Sequence, residues 1–403
     1  MLLNDKRYRG ITLQVITALA LVFSVWWLVS NVAAQFDLLG KEFSFRFLRA
    51  PASYDIDQTL IPYTSRSPHW MAASVGILNT LLVAFLGIVF ATILGVLIGI
   101  GRLSSNWLVA RLMTVYVEVF RNVPVLIWII ISISIFTTIF PTPRDAWTLG
   151  GGLGTLLEWV TFGLYSGEPI GQIATFTNRG IRLTAPVFQE GSGPLVAVFF
   201  VSLAAAYAFY RYAKARQMRT GDQLPWVTIG LALVLIPTLA TFFALGRPIG
   251  LDVPELRGFN FTGGWRVSGA LFALWLGLTV YTAAFIAEVV RSGIQAVAKG
   301  QREAAFALGL PPKRVMNLIV LPQALRIIIP PLISQYLNLT KNSSLAIATG
   351  YFDITGTLGG ITLNQTGKEM ECLLLVMLFY LLISLSISSL MNLYNSRVAL
   401  KER

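Results

Sequence analysis

An all-α polytopic membrane protein with about eight transmembrane helices is predicted by three observations. Of the 403 residues, 55% are hydrophobic and only 12% charged, against about 25% charged in soluble domains. The apolar residues come in long blocks instead of following a strand period or the one-sided period of a surface helix. The basic residues, finally, gather in alternate connections between those blocks.

A helix crossing roughly 30 Å of hydrocarbon at about 1.5 Å per residue needs about 20 apolar residues. Eight stretches qualify: 11–34, 71–101, 112–140, 194–210, 225–246, 267–290, 324–348 and 372–394. The first exceeds the apolar region of about 7–15 residues found in a signal peptide. It reads as an uncleaved anchor, although Val32-Ala33-Ala34 has the small residues of a cleavage site. The seventh is interrupted by Pro330, Pro331, Asn338, Lys341 and Asn342. Polar, irregular backbone is tolerated at membrane depth only inside protein or beside water, so this helix is expected to face the middle of the bundle.

Lys6, Arg7 and Arg9 precede the first span, Arg102 and Arg111 follow the second, and Arg211, Lys214, Arg216 and Arg219 follow the fourth. Arg291, Lys299, Arg302, Lys313, Arg314 and Arg326 follow the sixth, and Arg397, Lys401 and Arg403 end the chain. These alternate connections hold 18 of the 31 basic residues. The bias places them, and both termini, in the cytoplasm. The net charge of +12 is therefore topological, and no nucleic-acid role is expected.

On the other side, residues 35–70 are mixed in charge. Residues 141–193 carry two strand-like stretches, 173–177 and 181–185, around Asn178-Arg179-Gly180, which predicts a hairpin. Residues 247–266 have turn chemistry at Gly263-Gly264. His69 and Trp70 lie at the outer edge of the second span, where an anchoring role is expected. Gly95 and Gly99 fit a close-packing GxxxG pair.

Several chemistries are excluded. His69 is the only histidine and Cys372 the only cysteine, so neither a metal cluster, a disulfide nor a Cys/His nucleophile is expected. Gly367-Lys368 lacks the GxxxxGK[ST] context of a phosphate-binding loop, since Glu369 follows and Thr362 stands at the first glycine position. The chain is expected to hold no cofactor and to be no enzyme.

The sharpest local signal lies in the loop at 291–322. Residues 301–308 form a helical stretch ended by Gly309, and Pro311-Pro312 prevent its continuation. A second helical stretch, 313–320, is expected to stop at Pro322. The first helix is too short to be stable alone, and Ala304, Ala305, Phe306 and Leu308 cannot be covered by lipid in a loop. Such a helix suits a groove on another protein.

Glu303-Ala304-Ala305, three residues, Gly309, nine residues, then Ile319-x-Leu321-Pro322 resembles the EAA loop of bacterial ABC importer permeases, at every spacing. The resemblance implies a coupling helix, keyed by Glu303 and Gly309, that docks on the ATPase. Gly76–Leu81, Tyr116–Pro124, Thr282–Arg291 and Leu339–Leu345 resemble the histidine/glutamine, or polar amino-acid, permeases. The chain departs from that pattern at Asn122, Val123 and Asn342. The likeness implies a five-helix type I importer core, in parts at 71–140 and 267–403. Outside it lie the anchor and loop at 1–70 and an insertion at 141–266 with two extra spans. This enlarged form resembles the general L-amino-acid permeases.

The resemblance further implies the bacterial inner membrane, lipid around the spans, a cytoplasmic ATPase dimer, a second homologous permease and a periplasmic amino-acid-binding protein. Segment 141–193 is the expected docking surface for the last of these. The substrate would be an L-amino acid, over a broad range. Arg121 could take its carboxylate, Glu118 or Glu288 its ammonium, and Lys341, Asn342, Ser343 and Ser344 further contacts. Glu118–Arg121 and Glu288–Arg291 are also i,i+3 pairs that could neutralise each other. An ion-gradient-driven secondary amino-acid transporter would share the spans and the buried charges, but has no use for an isolated helix in the loop.

Overall fold

The computed structural model describes residues 6–150, 172–189, 191–246 and 248–398. Its main helices are α1 (Lys6–Leu38), α2 (His69–Gly101), α3 (Trp107–Asn122), α4 (Val125–Ile139), α5 (Ser192–Thr220), α6 (Trp226–Ala244), α7 (Gly269–Gln295), α8 (Lys299–Ala307), α9 (Leu321–Asn342) and α10 (Glu369–Val398). Among the described residues, seven spans are long and apolar enough to cross a membrane, or eight counting the bent pair α3–α4 as one.

The core is built around α7, against which α2, α3, α4 and α9 all pack. Small residues let the backbones approach. A Cβ on Gly95 would stand 2.7 Å from Ile286, and one on Gly99 would stand 2.8 Å from the Ala287 carbonyl oxygen, so the GxxxG pair is the α2–α7 contact. Leu274, Leu278, Ala283, Ala284, Ile286 and Ala287 are buried along α7. Tyr281, Phe285 and Glu288, at helical spacing, stay half-buried on one face.

Three expectations are corrected here. The stretch 112–140 is not one continuous helix, because α3 and α4 meet at 105°. Pro124 has no N–H to donate and forces the preceding residue out of the helical region, and Val123 is extended. The fourth span continues ten residues past its expected end, so Arg211, Lys214, Arg216 and Arg219 extend α5 instead of forming a loop. The stretch at 313–320 does not stop at Pro322. A helical turn at Pro312–Val315 passes through a π turn, Met316–Val320, directly into α9. In a regular helix the Pro322 ring would press on the carbonyl four residues back, and a π turn widens the helix at that point. The Leu321 N–H reaches the Met316 carbonyl to close it.

The prolines at 330 and 331 remain inside α9, and the break comes at Ser343, where a 3-10 stretch, Ser343–Thr349, begins. Residues 350–367 then fold as short turns against α2. Gly76 is required there, since a Cβ would meet Thr357 and the Asp353 carbonyl. His69 is buried, with its Nδ1 3.0 Å from the Thr362 hydroxyl, while its neighbour Trp70 is exposed.

The expected hairpin forms, as β2 (Ala174–Thr177) and β3 (Gly180–Leu183) around Asn178-Arg179. It belongs to a larger outer layer that an all-α reading did not include. With β1 (Trp147–Leu149) and β8 (Trp265–Ser268) it makes an antiparallel sheet of order β1-β2-β3-β8. Gly180 is held at φ 140°, where a Cβ would stand 2.7 Å from the Val267 carbonyl of β8. Two ribbons flank the sheet: β4 (Ala185–Phe188) with β5 (Ile249–Asp252), and β6 (Glu255–Arg257) with β7 (Asn260–Thr262). The sheet lies at the end of the bundle where α7 starts, and Ser268 both ends β8 and caps α7 by accepting from the Leu271 N–H. The part of the expected docking segment at 151–171 lies outside the described residues.

Candidate functional site

At the end of the bundle opposite the sheet, α8 is held as a nine-residue helix. Its C-terminus is a Schellman motif: the Leu310 N–H donates to the Ala305 carbonyl and the Gly309 N–H to the Phe306 carbonyl. Gly309 takes φ +73°, which a residue with a Cβ adopts only with strain. The Arg302 guanidinium ties the helix back to the Ile294 carbonyl at 2.6 Å.

The six residues expected to couple divide by face. Ala305 is buried with Val297, Val315 and Val320, so it anchors the helix instead of presenting itself. Glu303, Ala304 and Gly309 are exposed, Phe306 is 51% exposed and Leu308 82% exposed. A short helix fastened on one side thus shows two large apolar side chains on the other, an arrangement suited to a partner's groove.

The charges expected in the membrane form two groups. In the first, Glu288 receives Arg291 at 2.5 Å, Arg102 from the end of α2 in a still shorter contact, and Arg121 at 3.8 Å. The pair Glu288–Arg291 therefore forms and Glu118–Arg121 does not. Glu118 is exposed and faces Asn122, whose Nδ2 lies 3.5 Å away. The Arg121 guanidinium lies instead over the Phe285 ring, 5.2 Å from its centroid.

The second group lines a cavity of about 230 Å³ between α7 and α9. Tyr281, Thr282 and Phe285 come from α7; Gln335, Asn338, Lys341 and Asn342 come from α9. Five expected residues are absent from it: Glu118, Arg121 and Glu288, placed as above, and two serines. Ser343 is fully buried and donates to the Thr340 carbonyl at 2.7 Å, and Ser344 donates to the Lys341 carbonyl at 2.8 Å. Both hydroxyls cap the end of α9, since the last carbonyls of a helix lack intrahelical donors.

The other face of α9, with Ala324, Ile328, Leu339 and Thr340, is buried in the core. Asn338 and Lys341 are exposed. Unpaired polar groups do not face lipid at membrane depth, so this face borders water or another protein. Five contributors were not substrate candidates from sequence, Tyr281, Thr282, Phe285, Gln335 and Asn338, although Asn338 was noted as a polar interruption of its span. Their signal is periodicity, since 281, 285 and 288 share one helical face and 335, 338 and 341 another. Arg102 had no local signal, because its partner lies 186 residues away. Among the described residues no group of three or more His, Cys, Asp or Glu could hold a metal ion.

The family model described as binding-protein-dependent transport system inner membrane component matches residues 218–400. The glutamate/glutamine/aspartate/asparagine transport system permease protein BztB of Rhodobacter capsulatus is 48% identical over 418 aligned positions, covering 100% of this chain and 96% of that one. The general L-amino acid transport system permease protein AapQ of Rhizobium johnstonii is 44% identical, covering 99% and 94%. The putative amino-acid ABC transporter permease protein YhdX of Escherichia coli K12 is 41% identical, covering 97% and 94%.

Proposed function

This chain belongs to the family of binding-protein-dependent transport system inner membrane components, and from that premise we infer that it is the permease subunit of an ABC importer for amino acids. The chain spans the membrane several times, performs no chemistry of its own, and relies on a separate ATPase. The observation that carries the reading is α8, whose buried side is locked by Ala305 and whose free side offers Phe306 and Leu308.

The finer assembly is part of the same proposal. An ATPase dimer receives α8 on the cytoplasmic side. A second, homologous permease completes the pore against the polar face of α9 and the half-buried face of α7. A periplasmic amino-acid-binding protein delivers substrate to the sheet β1-β2-β3-β8, and both termini are cytoplasmic. The range of L-amino acids carried is broad, as the name of the Rhizobium relative says of that protein. Closure of the ATPases would shift α8, and the unbroken helix from Pro312 to Asn342 would carry that shift to the residues lining the conduit. Arg121, Lys341 and Asn342 remain the substrate-facing candidates, with Asn338 and Gln335 added.

Gentle affinity purification from native membranes tests this. A nucleotide-binding subunit should accompany the wild type and be lost from Phe306→Asp and Leu308→Asp variants that remain folded. Recovery of a folded wild-type chain alone would overturn it and leave the ion-gradient mechanism in its place.

A further inference from the structure

No residue of α1 from Gly10 to Leu38 is buried. Just past its end, the Lys41 ammonium pairs with Glu369 at 3.0 Å and Lys368 donates to the Glu42 carbonyl, which ties the anchor to the start of α10. This tie lies at the sheet end of the bundle, since the same connection between α1 and α2 reaches Ser268 of β8 through Gln58. Below the tie, a groove of about 1360 Å³ separates the two helices. Leu28, Val32 and Phe36 line it from α1, and Leu374, Met377 and Leu381 line it from α10.

The groove has the depth of one leaflet. Its walls run from Leu28 to Asp37 on α1 and from Met370 to Leu381 on α10, about 14–17 Å at about 1.5 Å per residue. That is half of the roughly 30 Å of hydrocarbon in a bilayer. A helix of a second subunit would need a groove along the whole span, whereas a lipid chain needs half of one and is as apolar as leucine. The mouth then selects a headgroup. Lys41 is already paired, but Asp37 and Glu42, exposed on either side of it, form no ion pair among the described residues. Two unmatched carboxylates repel an anionic headgroup and attract an ammonium. We propose that this groove is a site for a phospholipid with an ethanolamine headgroup, in the leaflet on the side of the sheet. Its acyl chains fill the space between α1 and α10, its ammonium meets Asp37 and Glu42, and its phosphate meets Lys41. The lipid completes the packing of the anchor on the rest of the chain. The inference needs only the membrane spans and stands apart from what the protein carries.

The protein, with the subunits that accompany it, is placed in nanodiscs of phosphatidylethanolamine and phosphatidylglycerol in equal amounts, with identical acyl chains. Release into mild detergent and native mass spectrometry then count the lipids retained. Leu374→Trp with Met377→Trp, which fills the groove, should remove one lipid per chain, and Leu19→Trp, outside the groove, should remove none. The lost lipid should be phosphatidylethanolamine over phosphatidylglycerol by at least about threefold. Asp37→Lys with Glu42→Lys should reverse that preference, and serves if the tryptophan variant does not fold, since both residues are exposed. Undiminished retention in the filled groove, or equal loss of the two lipids, would overturn the proposal. So would a benzophenone side chain at position 374 that captures another protein in place of lipid, which would make the groove a subunit interface.

Discussion

Glu288 and Asp353 are two carboxylates handled in opposite ways. Glu288 is surrounded by guanidinium groups from two helices and its own. Asp353 lies in the connection between the last two spans, fully buried, and forms no ion pair among the described residues. It accepts the Gly356 N–H at 2.8 Å and the Tyr380 hydroxyl at 3.3 Å. Burial outweighs those bonds and pushes its carboxyl up from 3.8 to about 6. A folded value above the unfolded one means the folded state holds the proton more tightly. The stability this brings is complete below about pH 3.8 and is lost as pH rises through about 6. The wild-type melting temperature should therefore fall from pH 5 to pH 7.5, an interval over which about 1.4 of the shift's roughly 3 kcal/mol is lost. Asp353→Asn keeps an oxygen for Gly356 and carries no charge, so it should lack this decline over that range. A parallel decline in the variant would rule this out. At this scale sequence reasoning finds local pairs and misses distant ones. Glu288–Arg291 follows from i,i+3 spacing, but the same rule misassigns Arg121, which the Phe285 ring and Glu288 draw away from Glu118.

Helix packing here is decided by small residues. The α2–α7 seam leaves no space at Gly99, where the nearest atom to an added Cβ is backbone and cannot rotate away. Gly99→Ala should destabilise the core by about 1–3 kcal/mol, read as a lower melting temperature in detergent; an unchanged value would mean the helices can separate freely. The spacing of Gly95 and Gly99 made this seam legible in the sequence. The bend at Pro124 was less so, because hydropathy continues unbroken through residues 112–140 while the backbone does not. In the loop, Gly309 and Pro311 marked the end of α8 correctly. Pro322 misled, since a proline is accommodated when the turn before it is widened.

Across the whole molecule, α5 and α6 stand apart from the helices gathered around α7. α5 and α6 pack on each other, with their link to the rest running through β4 and β5. That link closes on itself: Phe188 pairs with Ile249, and the Gln189 N–H donates to the Pro248 carbonyl. Excising residues 190–247 and joining Gln189 to Pro248 through two glycines should leave the core's melting temperature within a few degrees and ATPase retention intact. Collapse of the protein would show that the hairpin α5–α6 supports the core after all. Hydropathy disclosed these spans readily. It could not disclose the outer sheet, because β8 joins β3 from about 80 residues away and strand partners that distant leave no local pattern.

The π turn at Met316–Val320 also sets a phase. One residue occupies about 100° of an α-helix, and the turn holds one residue more than a regular helix would between α8 and the face formed by Gln335, Asn338 and Lys341. Deleting one residue from the regular helix that follows would scarcely alter composition or hydropathy, yet would rotate that face by about a quarter of a revolution. Deleting one from the turn itself would instead let it close into an α turn, so this is the place where the helix tolerates a change in residue count without turning Lys341 away.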